Sequence, residues 1–127
     1  MLDFNKRSGQ PVHLFGSKEP SFYLDTTDIN MTKAMRELGE RLKNFNPSKK
    51  LSEEEQFKVI DEEIDFMIQK IDEMFGEGVS NIVMDNKKSV AQLACFIEFI
   101  LEAIKKDRDK LTSKYKKTVK AGKKGVM

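Results

Sequence analysis

The residues able to do chemistry are few, and their spacing limits what they can do. His13 is the single histidine and Cys95 the single cysteine. One imidazole cannot supply a two-His metal site or a haem pair, and one thiol cannot form an intrachain disulfide or a multi-Cys zinc site. His13 has no Cys, Ser or carboxylate beside it in a recognisable motif, so it is expected as a surface or arm residue rather than a general base. Cys95 lies between Ala94 and Phe96 and is expected as a small core or near-core residue. The carboxylates Asp61, Glu62, Glu63 and Asp65 would need Glu-x-x-His pairs on facing helices to hold a di-metal centre. Interleaved with Ile60, Ile64 and Met67, they read instead as the outer face of an amphipathic helix.

The glycine motifs are equally incomplete. Gly76-Glu77-Gly78 lacks the third glycine of a dinucleotide fingerprint, since position 81 is Asn, and a helical rather than a strand pattern precedes it. Gly122-Lys123-Lys124-Gly125 lacks the upstream glycine and the Ser or Thr of a P-loop. Asp85-Asn86-Lys87-Lys88 lacks the alternating oxygen ligands and central glycine of a calcium loop. The expected catalytic, cofactor-binding and metal-binding residues are therefore none, and the chain is expected not to be an enzyme.

The elements around these residues are helical. At 127 residues, 39% hydrophobic and 35% charged, the chain suits one mainly α domain. Met31, Met35, Leu38, Leu42 and Phe45 form a stripe that predicts a helix over about 28–44, capped by Thr27 or Asp28 and ended by Pro47. Ser52 with Glu55 makes a capping box opening a helix over about 52–75, whose stripe is Phe57, Ile60, Ile64, Met67, Ile68, Ile71, Met74 and Phe75. Gly76 and Gly78 stop it. The connector has an apolar centre, Val79, Ile82, Val83 and Met84, which predicts one helical turn. Ser89 with Gln92 makes a second capping box for a helix from 90 to about 117, carrying Leu93, Ile97, Ile100, Leu101 and Ile104 and then Leu111, Tyr115 and Val119.

The expected architecture is a small bundle of three principal helices, its main hairpin formed by the second helix and the first half of the third. Three regions are expected: an extended N-terminal arm or short hairpin over 1–27, a helical domain over 28–117, and a flexible basic tail over 118–127. The apolar run Leu93–Ile104 is far shorter than the ~20 residues of a membrane span and contains Glu98 and Glu102. Asp3, Lys6 and Arg7 replace the apolar stretch of a secretory signal, so the cytoplasm is the expected compartment.

Charge is strongly polarised along the chain. Residues 105–127 hold ten Lys or Arg against two Asp, a net of +8, whereas Glu53–Glu77 holds ten carboxylates against Lys58 and Lys70, a net of −8. Such blocks are often simply solvated faces, but they also mark interaction surfaces. Lys114, Lys116, Lys117, Lys120, Lys123 and Lys124 form the candidate basic surface. Without clustered Arg or a base-reading motif, they would bind nucleic acid only non-specifically, through phosphates, with Tyr115 available to stack.

From Phe57 through Ser80 the sequence resembles the tail assembly chaperones of long-tailed, siphovirus-type phages and prophages of Gram-positive bacteria. The similarity covers about residues 21–104. It is sharpest at Ile71-Asp72-Glu73-Met74-Phe75-Gly76-Glu77-Gly78, where an acidic amphipathic helix ends in Phe-Gly-Glu-Gly. Where members of that group often continue with a further Gly-rich turn, this chain has Met84-Asp85-Asn86-Lys87-Lys88. The resemblance implies a non-enzymatic protein of the bacterial host cytoplasm, absent from the mature virion. Its partners would be the tape measure protein, which it keeps soluble, and the tail tube protein, which it recruits. A longer frameshifted product is a further implication, compatible with Gly122-Lys123-Lys124. The surface expected to meet the partner comprises Met67, Ile71, Met74, Phe75, Gly76, Gly78, Ile82 and Met84. The alternative is a small helical protein that binds nucleic acid through its basic tail; self-association is compatible with either.

Overall fold

Burial of alternate residues over Phe22–Leu24 draws a short ribbon onto the helices. In the computed structural model, which describes residues 1–126 and the side chains of residues 1–110, strands β1 (Gln10–Val12) and β2 (Phe22–Leu24) pair antiparallel. Gln10 lies opposite Leu24 and Val12 opposite Phe22. An isolated two-stranded ribbon is marginal in water. Here Phe22 and Leu24 are buried while Tyr23 between them faces out, so the ribbon is held by the core beneath it. The expected short hairpin is observed over Gln10–Leu24, and residues 1–9 before it form neither helix nor strand and are exposed.

Helix α1 (Ile29–Asn44) begins at Asp28, whose carboxylate accepts from the backbone N–H groups of Asn30 and Met31. Those donors would otherwise lack partners at the helix start. Met31, Met35 and Leu38 are buried along its stripe. Helix α2 (Glu53–Phe75) begins at Ser52, whose hydroxyl accepts from Glu55 N and donates to the Glu55 carboxylate. Ile64, Met67 and Ile71 are buried on this helix, whereas Phe57, expected on the same stripe, is 61% exposed. It sits in the second turn, before α2 reaches the core. The helix stops at Gly76, which takes φ 125° and ψ 151°, a backbone region essentially reserved for glycine.

The connector forms α3 (Val79–Met84), with Val79, Val83 and Met84 buried. Asp85 and Asn86 follow at positive φ, a conformation their short polar side chains tolerate. Helix α4 (Val90–Val126) continues past the expected end at 117. The expected flexible tail over 118–127 lies outside the residues whose side chains are described. At its start, Ser89 Oγ accepts from Gln92 N, but the Gln92 amide turns away and donates to Val83 O at 2.9 Å. The second capping box is therefore only half made, and its other half clamps α3 to α4.

Leu93, Phe96, Ile97, Ile100 and Ile104 carry α4 into a core shared with α1, α2, α3 and β2. Phe22, Phe75 and Phe96 meet within it, with ring centroids 4.7 to 6.0 Å apart. The most extensive packing between the long helices is α1 on α4, not α2 on α4 as the sequence suggested. The reason is steric. Gly39 removes a side chain from α1 where Leu101 and Ile97 approach it, and α3 packs on both α2 and α4.

Candidate functional site

A groove of about 600 Å³ runs between α1 and α4. Its floor is Gly39 and Leu42 from α1 with Ala94, Ile97 and Leu101 from α4. Gly39 and Ala94 leave the depth, because larger residues at either position would fill it. The rim is charged in both senses, with Arg36, Glu40 and Lys43 on one side and Glu98 on the other. An apolar floor with a charged rim is the form that accepts the apolar face of an amphipathic helix. A lone glycine inside a helical stripe usually has a packing reason, and that was the available signal.

The expected partner-binding residues do not form a single surface. Met67, Ile71 and Met84 are buried core residues. Met74, Phe75 and Gly78 are half-buried, Gly76 is exposed, and Ile82 is 45% exposed. A partner docking on the folded protein therefore cannot touch Met67, Ile71 or Met84, since these fill the space between the helices. The candidate basic residues from Lys114 through Lys124 lie outside the described side chains.

Cys95 is exposed, contrary to its expected place in or near the core. Phe96, which sequence reading passed over, takes the core position next to it. His13 is exposed as expected, its Nδ1 2.9 Å from Ser17 O. His13 and Cys95, though distant in sequence, line one shallow notch of about 240 Å³ together with Phe15 and Phe99.

Ion pairs organise the acidic face of α2. Arg41 forks onto Glu63, with Nη2 3.0 Å from Oε2, and lies 3.9 Å above the Phe66 ring. Hydrogen bonding to Glu63 raises the Arg41 pKa above its ordinary value. Lys88 bridges Asp61 and Asp65, and its hydrogen bonds to them raise its pKa. At the hairpin, hydrogen bonds from Ser8 and Thr27 hold Asp25 below the usual carboxylate value. All three arrangements brace the fold. Among the described residues, no group of three or more His, Cys, Asp and Glu side chains could hold a metal ion, and no buried side-chain N or O lacks a hydrogen-bond partner. No helix among them is long and apolar enough to cross a membrane.

Residues 19–125 match a family of unknown function (DUF6673). No curated protein and no solved structure matches the chain. Because the match spans β2 and all four helices, the chain belongs to the DUF6673 family.

Proposed function

We propose that this protein works by binding, as a tail assembly chaperone that shields helical segments of a phage tape measure protein and brings them to tail tube subunits. The observation that supports this reading is the open groove between α1 and α4, apolar along its floor and charged along its rim. A tape measure protein presents long amphipathic helices that aggregate when their apolar faces lack partners. One such helix laid over Gly39, Leu42, Ala94 and Leu101 would bury its apolar face, while Arg36, Lys43, Glu40 and Glu98 met its flanking charges. The acidic face of α2 adds attraction for basic client segments. The work is done in the host cytoplasm, and the chaperone leaves before the virion is complete.

The test is co-expression with the tape measure protein of the same genome. The expected outcome is a rise in the client's soluble fraction and its co-purification with the chaperone. Unchanged client solubility would remove this function.

A further inference from the structure

A second hollow, of about 420 Å³, lies at the other end of α1, and Arg36 borders both it and the α1–α4 groove. On α1 the lining residues Ile29, Lys33, Arg36, Glu40 and Lys43 recur at alternating steps of four and three. That spacing places them on one face, beside the core stripe of Met31, Met35 and Leu38. On α4, Ala94, Ile97, Leu101, Ile104 and Arg108 recur in the same way. The two hollows are therefore one furrow between the helices, about 21 Å long, the length of about four helical turns.

Charge divides the furrow by position. At the cavity end Lys33, Arg36 and Arg108 are accompanied by a single carboxylate, Asp107, which accepts from the Thr26 hydroxyl at 2.8 Å. These three cations make no ion pair among the described residues. At the groove end stand Glu40 and Glu98, with Lys43. From Glu98 to Arg108 is about 15 Å along α4, more than the screening distance of about 8 Å at physiological salt, so an occupant senses each end separately. Ile29, 67% exposed, gives the cationic end an apolar lip.

Building on the client-binding reading above, we infer that the furrow selects an amphipathic helix of about four turns whose carboxylates gather at one end and whose Lys or Arg gather at the other. The acidic end sits on Lys33, Arg36 and Arg108, with an apolar side chain against Ile29 and Ile104. The basic end meets Glu40 and Glu98. Such a helix fits in one direction only, because reversal would set its carboxylates against those of Glu40 and Glu98.

Fluorescence anisotropy with the full chain and labelled helical peptides tests this. Two peptides share one composition and one apolar stripe, and both are held helical by a side-chain cross-link. One has Glu at one end and Lys at the other; the second alternates Glu and Lys along its length. The segregated peptide is expected to bind roughly fivefold or more tighter at low salt, with the difference shrinking as salt rises. Lys33→Glu/Arg108→Glu is expected to weaken the segregated peptide roughly tenfold or more. A third peptide, with Lys at both ends, is expected to bind this variant more tightly than wild type, a gain that misfolding cannot mimic. Equal affinity for the first two peptides would overturn the inference while leaving the groove as a client site. A charge reversal without effect, or no gain by the third peptide, would also overturn it. Binding by none of the peptides would remove the client reading and this inference with it.

Discussion

Gly39 of α1 faces Leu101 of α4 so closely that a Cβ at position 39 would lie 3.3 Å from Leu101 Cδ1. That approach sets α1 against α4 and, with Ala94, shapes the groove between them. The atom in the way is the end of a flexible, half-buried side chain beside open groove, so it can move aside. Gly39→Ala is therefore expected to stabilise the fold by about 0.5–1 kcal/mol through helix propensity and a more restricted unfolded chain. Thermal unfolding checks this. A lower midpoint would mean that Leu101 is locked in place and the packing is tighter than described.

Gly76 gives the opposite expectation. Its φ of 125° and ψ of 151° place it where a side chain is strained whatever the surrounding space. Gly76→Ala should cost about 1–3 kcal/mol in urea unfolding. Unaltered stability would show that the turn between α2 and α3 can relax to another conformation.

The hairpin offers a paired comparison. Phe22 is buried against Phe75 and Phe96, whereas its neighbour Tyr23 points to solvent. Phe22→Ala should cost about 3–5 kcal/mol, and Tyr23→Ala should stay within about 0.5 kcal/mol of wild type. Similar losses at both positions would mean that the ribbon is not anchored through one face.

Stability should also respond to pH at both extremes. Asp25 is held below its ordinary pKa of 3.8 by Ser8 and Thr27. Its contribution is complete above that value and lost as pH falls through the lower folded value. Lys88 is held above its ordinary 10.5 by Asp61 and Asp65. Its contribution is complete below that value and lost as pH rises through the higher folded one. Asp25→Asn should flatten the acid limb of a stability profile, and Lys88→Met the alkaline limb. An unchanged limb in either variant would remove that group from the pH response.

Much of the fold was legible because local signals agreed with packing. Asp28 and Ser52 begin helices where capping chemistry placed them, and Gly76 stops α2. The connector's apolar centre became α3. What failed were inferences about which faces meet. Met67, Ile71 and Met84 carry the apolar character of a binding surface, but the same character suits a core, and periodicity alone cannot separate the two. Cys95 and Phe96 are adjacent on α4, and only the direction from which α1 and α3 approach decides which is buried. The groove was hidden for a similar reason, since it is made by what Gly39 and Ala94 lack.

The most direct test is calorimetric titration of the purified protein with a soluble helical segment of the tape measure protein, using wild type, Ile82→Ala and Ala94→Arg. Ala94→Arg lays a long charged side chain across the groove, while Ile82 lies on α3 outside it. The expected result is saturable binding by wild type and Ile82→Ala, with affinity weakened roughly tenfold or more by Ala94→Arg in a protein that still melts cooperatively. Equal affinity for all three proteins, or no heat of binding with wild type, would contradict a client helix held between α1 and α4.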